Sequence, residues 1–216
     1  MTDKKQIKRE LKELELREAK ASAAKAEIDL SLRELDSIRV HHQHALLADA
    51  HVGVFRIEES VRDEVLQLAA AMQRWGDQHP GDPVVLYIFS PGGSVLHGFA
   101  LYDTLRTLSD QGHHVTTVIR GFAGSMASVI FLAGDTRKIG AESIVHQHEP
   151  SSFTYGKLSE MTDANKFVER LYEKITRVYT TRTGLTRTAF RRLTVGKEWY
   201  ADAEEAMKHG LATVVE

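Results

Sequence analysis

The chain contains no cysteine, and this absence excludes disulfide bonds, thiolate metal sites and a cysteine nucleophile. Proline is also scarce, with four residues in 216, and aromatic residues make up only 7% of the chain. Apolar residues nevertheless account for 42% of the sequence. A chain of this length and composition can build one domain with a substantial buried core, or such a domain with an appendage.

Neither sign of charge dominates, because 28 Lys and Arg residues face 30 Asp and Glu residues. This balance argues against nucleic-acid binding through a strongly basic surface. The apolar run that stands out, Val129–Ala133, is far too short to span a bilayer. The charged residues Asp3, Lys4 and Lys5 are not followed by an apolar stretch, so we expect no secretory signal. We therefore expect a cytoplasmic protein without a nucleic-acid or membrane partner.

Residues 1–39 differ from the rest, with ten Lys or Arg, nine Asp or Glu, and no Gly, Pro or aromatic residue. Apolar residues spaced by three and four predict a long amphipathic helix, which could pair with another subunit or pack on its own domain.

Residues 40–50 are a predicted linker. It contains three histidines, His41, His42 and His44, which could bind a metal. Because no carboxylate lies beside them at a fixed spacing, we favour a polar segment over a metal site.

Residues 51–216 alternate short apolar runs with helical patterns, which indicates an α/β fold with a mostly parallel sheet. Strands are predicted at His51–Ile57, Val84–Phe89, Val115–Ile119, Arg137–Ile139 and Ser143–His148. Helices are predicted from Val61 to Met72, Phe99 to Leu108, Met126 to Ala133, and over residues 157–182. The strand Val84–Phe89 is almost wholly apolar, as expected for a parallel strand covered on both faces.

The segment Ser90-Pro91-Gly92-Gly93-Ser94 directly follows this apolar strand. Two consecutive glycines let a ligand approach the main chain, whose N–H groups can stabilise an anion. The segment lacks the lysine of a P-loop and the third glycine of a dinucleotide fingerprint. It is therefore either a tight turn or an anion-stabilising loop.

A second strand-to-helix junction, Gly121–Ala127, places Ser125 where a helix begins. Its hydroxyl could cap that helix, because serine is a preferred N-cap residue. Alternatively, it could be a nucleophile, and the small residues around it would allow a peptide backbone to come close.

His146 and His148 project to the same side of a predicted strand, because residues two apart share a face. Such a pair could bind a metal, but the sequence offers no evident third ligand. A histidine could instead act as general base if the fold brings it to Ser125.

Together these features resemble the ClpP-like serine peptidases, the family of the Clp protease proteolytic subunit. The resemblance runs from about His51 to Val215 and implies a ClpP/crotonase-like fold of repeated β-α units, beside the predicted long N-terminal helix. Its ordered motifs are Ser90-Pro91-Gly92-Gly93 with Gly98, Tyr102 and Asp103; Gly121–Ala127, where Gly124 replaces an alanine; Ala133-Gly134; Thr183-Gly184; and Ala203–Ala206 with Gly210-Leu211.

The resemblance implies that Ser125 is the nucleophile and that the N–H groups of Gly93 and Met126 form the oxyanion hole. His148 is the implied base, since His148-Glu149-Pro150 matches the family's His-x-Pro ending. The family carries an aspartate as third member. Here Glu198 is the predicted carboxylate, with Asp202 as the alternative.

The resemblance also implies an endopeptidase that works through an acyl-enzyme on polypeptide substrates, in a homo-oligomeric ring (a heptamer or double heptamer), without a metal or nucleotide cofactor. The family's usual partner is a Clp-type ATPase, although here the helical arm replaces the segment associated with its docking. Three other functions stay open: an inactive structural or scaffold subunit, a phage head-maturation protease, and a crotonase-type acyl-CoA enzyme.

Overall fold

The computed structural model describes residues 52–151 and 155–216, and seven strands and six helices lie in this part of the chain. The strands are β1 (Gly53–Ile57), β2 (Val84–Ser90), β3 (Val115–Gly124), β4 (Thr136–Ile139), β5 (Ile144–Gln147), β6 (Trp199–Ala201) and β7 (Val214–Val215). The helices are α1 (Glu64–Gln78), α2 (Val95–Asp110), α3 (Met126–Phe131), α4 (Leu158–Arg182), α5 (Arg187–Thr194) and α6 (Ala203–Lys208). The predicted arm and linker, with their three histidines, lie outside the described residues.

The strands form one sheet in the order β1–β2–β3–β4–β7, and each neighbouring pair along this path is parallel. Strand β5 pairs in parallel with β3, and β6 pairs antiparallel with β5. Parallel neighbours need crossover connections, which α1, α2 and α3 supply. The predicted α/β fold with a mostly parallel sheet is therefore confirmed.

Strand β3 pairs on one side with two strands, first with β4 and then with β5. Residues Thr116–Ile119 pair with β4, and Phe122–Gly124 pair with β5. The sequence pattern predicted a strand that ends at Ile119, and the observed strand runs five residues further because its last residues join β5. This extension brings the chain to Ser125 directly beside β5.

Strand β2 is covered less completely than its apolar sequence predicted. Leu86 and Ile88 are fully buried, but Phe89 on the opposite face is 54% exposed. On that face, the Arg56 and Arg120 guanidinium groups lie 4.7 and 5.4 Å from the centre of the Tyr87 ring. The expectation of two fully buried faces was wrong, because charged side chains of the neighbouring strands cover this face at Tyr87.

Helix α1 begins at Glu64, three residues later than the predicted start at Val61. The Val61 N–H donates to the Gly92 carbonyl at 2.8 Å, and the Val61 carbonyl accepts from the Ser94 N–H at 2.8 Å. Val61 therefore bridges to the glycine-rich turn after β2. It does not form the first turn of the helix.

Helices α2 and α3 pack closely where α2 carries a glycine. A Cβ atom at Gly98 would lie 2.2 Å from the Met126 Cγ, so only glycine leaves room for this side chain. Met126 is itself buried at the start of α3. The contact fixes the beginning of α3 against the helix that follows the glycine-rich turn.

A polar cluster joins the end of α3 to α2. Asp135 accepts hydrogen bonds from Arg106 at 2.7 Å, from Ser109 at 2.9 Å and from the Val115 N–H at 3.0 Å. Burial raises the pKa of the Asp135 carboxyl, but these bonds outweigh burial, so the pKa lies below its ordinary value of 3.8. The cluster therefore favours the ionised carboxylate.

Within the described residues, the helices are all too short or too polar to cross a bilayer.

Candidate active site

Ser125 occupies a turn between β3 and α3 that few side chains tolerate. Its φ of 49° and ψ of −121° make it the one non-glycine residue with positive φ in the described part of the chain. Such conformations cost about 1–3 kcal/mol and persist only where surrounding contacts hold them. Here the Ser125 N–H donates to the His146 carbonyl at 2.8 Å. The turn therefore presents the Ser125 side chain in a fixed direction at the end of the strand.

Contacts on the other side of the turn hold the Ser125 carbonyl. It accepts from the Ser128 N–H at 3.1 Å and from the Ser128 hydroxyl at 2.7 Å. The Ser128 oxygen lies 2.6 Å from the Tyr179 hydroxyl, and both residues are fully buried. Burial raises the pKa of the Tyr179 hydroxyl above its ordinary value of 10, so it keeps its proton. Because the single Ser128 proton goes to Ser125, the Tyr179 hydroxyl donates to Ser128.

The Ser125 side chain does not cap α3. Ser125 is the residue before the helix, but its hydroxyl makes no hydrogen bond to the first turn. Its Oγ instead lies 3.1 Å from Nε2 of His148, which is hydrogen-bond distance. The interpretation of Ser125 as a helix cap was therefore wrong, because the strained backbone turns the hydroxyl towards the histidine.

Strands β5 and β6 place two histidines and a glutamate on one face. His146 pairs with Tyr200 and Gln147 pairs with Trp199, so the antiparallel register brings His148 opposite Glu198. Alternate residues of a strand share a face, so these side chains lie on the side away from buried Gln147. The two imidazole rings stack with centres 5.2 Å apart.

Glu198 faces both histidines with different oxygens. Its Oε2 lies 2.5 Å from Nε2 of His146, and its Oε1 lies 3.9 Å from Nδ1 of His148. The second distance is too long for a hydrogen bond. Glu198 is 57% exposed, whereas His146 is 13% and His148 is 26% exposed. The carboxylate therefore lies at the mouth of the site, bonded to the histidine that was not predicted as base.

Asp202, the alternative carboxylate, has another role. Its Oδ1 accepts a hydrogen bond of 2.8 Å from the Glu205 N–H and caps the N-terminus of α6. A side chain held there serves the helix start. The geometry favours Glu198 over Asp202 as the partner of His148.

The glycine-rich turn after β2 lies against the Ser125 turn. A Cβ atom on Gly92 would come within 2.4 Å of the Gly124 carbonyl oxygen and 2.8 Å of the Met126 nitrogen. A Cβ atom on Gly93 would come within 2.4 Å of the Val61 carbonyl oxygen. Both glycines also have positive φ, at 92° and 151°. Glycine is thus required at position 92 for the two turns to meet, and at position 93 for the glycine-rich turn to pack against Val61.

Within residues 52–151 and 155–216, the N–H groups of Gly93 and Met126 have no protein acceptor. They belong to the two turns that meet beside Ser125. Uncommitted main-chain donors of this kind can receive a developing oxyanion. The predicted oxyanion-hole residues are therefore available for that task.

An open cleft of about 410 Å³ begins at Gly93 and is lined also by Ser60–Asp63, Ser94 and His97. His97 Nε2 lies 3.2 Å from the exposed Asp63 carboxylate, while its buried Nδ1 has no hydrogen-bond partner among the described residues. The cleft is therefore bounded by the glycine-rich turn, by the residues before α1 and by His97 of α2.

The metal alternative gains no support from the geometry around His146 and His148. Across the residues that the structure describes, no group of three or more His, Asp or Glu side chains is arranged to hold a metal ion. Glu198, which lies nearest the pair, uses its close contact for a hydrogen bond to His146.

Sequence reasoning missed three supporting residues. His146 was considered only as a metal ligand or a rival base, although its place on the same face as His148 already indicated a role beside it. Ser128 lies three residues after Ser125, within reach of its carbonyl in a first helical turn. Tyr179 carried no signal, because only the packing of α4 brings it to Ser128.

Comparison with known proteins identifies the relatives of this chain. The family model for Clp protease matches residues 24–216. An ATP-dependent Clp protease proteolytic subunit from Chlorella vulgaris is 33% identical over 151 residues, which cover 69% of this chain and 73% of the relative. The ATP-dependent Clp protease proteolytic subunit 3 from Rhodococcus jostii is 30% identical over 185 residues, covering 85% and 86%.

The family model covers all the described residues, so it includes the Ser125 turn, His148 and the glycine-rich turn. The relatives carry the names of proteolytic subunits, so the function at family level is that of a peptidase. The resemblance stated from the motifs is confirmed, and the chain belongs to the Clp protease family.

Proposed function

We propose that this chain is a serine endopeptidase that cleaves peptide bonds through an acyl-enzyme. The observation that carries the proposal is the distance of 3.1 Å between the Ser125 Oγ and the His148 Nε2 at a strained turn. A nucleophile needs a base within hydrogen-bond reach, and a third group that orients the base. Ser125, His148 and Glu198 fill these three roles.

In the acylation step, Nε2 of His148 takes the Ser125 hydroxyl proton as the oxygen attacks the scissile carbonyl carbon. The carbonyl π electrons move to the oxygen and form a tetrahedral oxyanion. When this intermediate collapses, the C–N bond breaks and His148 gives its proton to the leaving amine. Water, deprotonated by the same imidazole, then attacks the ester carbonyl carbon. As the C–O bond to Ser125 breaks, His148 gives this proton to the Ser125 oxygen and the acid product is released.

The Gly93 and Met126 N–H groups would stabilise the oxyanion. Both are main-chain donors in turns that contact each other, so they need no side-chain rearrangement when the charge develops. Loss of one such donor in serine peptidases raises the barrier by roughly 3–4 kcal/mol. This electrostatic contribution would be available whether or not Glu198 is fully engaged.

Glu198 would hold the imidazole in the tautomer that presents an unprotonated Nε2 to Ser125, and would stabilise the imidazolium. The 3.9 Å between Glu198 Oε1 and His148 Nδ1 must then shorten by about 1 Å to form a hydrogen bond. Catalytic hydrogen bonds are often long without substrate and tighten in the complex.

The names of the relatives extend the proposal to substrates and assembly. Those proteins are proteolytic subunits of ATP-dependent proteases. By analogy, we propose polypeptide substrates, a homo-oligomeric ring with a heptamer or double heptamer as the model, a Clp-type ATPase partner, and a cytoplasmic location. The catalytic chemistry itself requires no metal or nucleotide on this chain.

A catalytically inactive scaffold subunit is the second candidate. The observation that favours it is the Glu198 carboxylate, which is more than half exposed and bonded to His146 instead of His148. An unsupported imidazole is a weaker base. This candidate predicts a folded assembly without nucleophilic reactivity at Ser125.

A fluorophosphonate probe separates the two candidates, because it reacts only with an activated serine. The wild-type protein should be labelled at Ser125 and should hydrolyse an unstructured polypeptide, and Ser125→Ala should lose both activities. Ser159→Ala is the matched control, since this serine is exposed on α4, and it should behave as wild type. A well-folded wild-type protein that is neither labelled nor active would overturn the proposal in favour of the scaffold.

A further inference from the structure

One carboxylate faces two imidazoles in this site. Glu198 uses Oε2 for His146 and turns Oε1 towards His148. A glutamate in its ionised form only accepts hydrogen bonds, so His146 must carry its proton on Nε2 to make the contact of 2.5 Å. The His146 ring is therefore a donor aimed at the carboxylate that faces the proposed base.

The position of this donor follows from the strand register. His146 and Tyr200 are direct partners across β5 and β6, and His148 and Glu198 follow as the next pair on the same face. The bond between His146 and Glu198 is the diagonal of this arrangement, which long side chains can reach. The register thus brings His146 to the carboxylate without any irregularity in the strands.

The structure assigns His146 as a positioning residue: its Nε2–H holds Oε2 of Glu198, so that Oε1 stays directed at Nδ1 of His148. The assignment rests on the proposed function, in which His148 is the base. His146 does not touch the reacting atoms, and it acts only through Glu198.

Glu198 needs such support because, among the described residues, its carboxylate faces only the two histidines. It lies just before β6, is 57% exposed, and has more side-chain freedom than a shorter aspartate. An exposed carboxylate loses side-chain entropy when it is fixed by a single ion pair. A second contact from a fixed donor reduces the number of positions that the carboxylate can adopt.

His146 is suited to this task because its own ring is held firmly. It stacks on Tyr200 with ring centres 4.4 Å apart and lies 6.0 Å from the centre of the Phe122 ring. Its side chain is only 13% exposed. The donor therefore has a fixed direction, in contrast to the exposed group that it binds.

The two histidines need not compete, since each faces a different carboxylate oxygen. Competition for Glu198 would predict that removal of His146 frees the carboxylate for His148 and raises activity. Positioning predicts the opposite, because a freed Glu198 would turn to solvent. The sign of the effect therefore decides between the two relationships.

Two variants of His146 separate the donor from the ring. His146→Phe keeps an aromatic ring for stacking but removes the N–H, and we expect kcat to fall about 10-fold to 100-fold with little change in KM. His146→Gln loses the ring but can place an amide N–H near the former Nε2, and it should recover most of the activity. If His146→Phe does not fold, His146→Asn replaces it, because its amide is too short to reach Glu198.

A double-mutant cycle tests whether His146 acts through Glu198. In the Glu198→Ala background, His146→Phe should cause no further loss of kcat, because the carboxylate that it positions is gone. Additive losses would contradict the assignment, and so would a His146→Phe variant that is as active as wild type or more active. These results differ from failure of the proposed function, in which the wild-type protein itself lacks activity and probe labelling.

Discussion

Ser128 donates a hydrogen bond of 2.7 Å from its hydroxyl to the carbonyl oxygen of Ser125. It receives a hydrogen bond in turn from buried Tyr179 on α4, at 2.6 Å. The main chain of the proposed nucleophile is thus linked through two hydroxyl groups to the longest helix among the described residues. Positive φ at Ser125 persists because this link and the His146 carbonyl hold the turn from both sides.

Ser128→Ala should slow the reaction of Ser125 with a fluorophosphonate about 3-fold to 10-fold, because the turn loses one of its fixed contacts. It should also lower the free energy of unfolding by about 1–3 kcal/mol, since the buried Tyr179 hydroxyl loses its partner. The labelling rate and urea denaturation measure the two effects separately.

The double variant Ser128→Ala with Tyr179→Phe is the control for stability. It removes both hydroxyl groups, so no buried polar group is left unpaired, and it should recover much of the stability that Ser128→Ala loses. It should remain slow in the labelling reaction. Recovery of the wild-type labelling rate together with stability would show that the link does not position Ser125.

Glu198→Gln should lower kcat for peptide hydrolysis by about 10-fold to 100-fold, because the neutral amide cannot stabilise the His148 imidazolium. The full loss seen with buried triad carboxylates is not expected, since Glu198 is 57% exposed and water can stabilise part of the charge. Steady-state kinetics on a peptide substrate measures the change.

Asp202→Asn is the matched control for Glu198→Gln. Asparagine is also a good N-cap residue, so α6 should keep its cap and kcat should stay at the wild-type value. If instead Asp202→Asn is the variant that loses activity, Asp202 is the carboxylate of the triad and the assignment of Glu198 is wrong.

Gly92→Ala should abolish probe labelling, because its Cβ would lie 2.4 Å from the Gly124 carbonyl and 2.8 Å from the Ser125 Cβ. The two turns cannot both keep their positions with this methyl group between them. Gly81→Ala is the control, since Gly81 has a similar φ of 82° but, within the part of the chain that the structure describes, nothing lies within 4 Å of its Cβ position. It should lose about 1 kcal/mol of stability through backbone strain and keep its labelling. Equal labelling of both variants would argue against close contact of the turns.

Asp135→Asn should lower the free energy of unfolding at pH 7 by about 1–3 kcal/mol, because Arg106 and Ser109 lose an ionised acceptor. The pKa of Asp135 is lowered in the folded protein, so its contribution is complete above the unfolded value near 3.8 and is lost as the pH falls through the lower folded value. The difference in Tm between wild type and Asp135→Asn should therefore stay constant from pH 7 down to the unfolded value near 3.8 and shrink as the pH is lowered further.

Asp110→Asn provides the comparison for this pH dependence. Asp110 lies 3.7 Å from the same Arg106, but its side chain is 79% exposed. Exposed ion pairs contribute little, so this variant should melt close to wild type over the whole pH range. A pH-independent gap between wild type and Asp135→Asn would contradict the role of the ionised carboxylate.

The sequence predicted the elements whose pattern depends on local burial. Strand β2 was predicted from its almost wholly apolar run and α4 from its helical pattern, and both lie within two residues of their predicted bounds. The end of β3 was missed, because Phe122–Gly124 pair with a strand that lies twenty residues away along the chain. The opposite face of β2 was also misjudged, since Arg56 and Arg120 belong to other strands.

The candidate site was predictable where a motif carried it. Ser125 and His148 were selected from motifs, and the structure brings their side chains together at 3.1 Å. Their roles in catalysis stay predictions. The contact between Glu198 and His146 could not be predicted, because it depends on the register of β5 and β6 and on the direction of one long side chain.

The backbone of Ser125 also bears on whether the protein could be merely architectural. Glycine would adopt the observed φ of 49° without the penalty that a β-carbon brings, so a subunit selected for durability alone would gain from losing the hydroxymethyl group. Serine at this position lowers the thermal stability of the protein but supplies a hydroxyl group. This loss of stability has a reason in an enzyme that uses the hydroxyl, and none in a purely structural subunit.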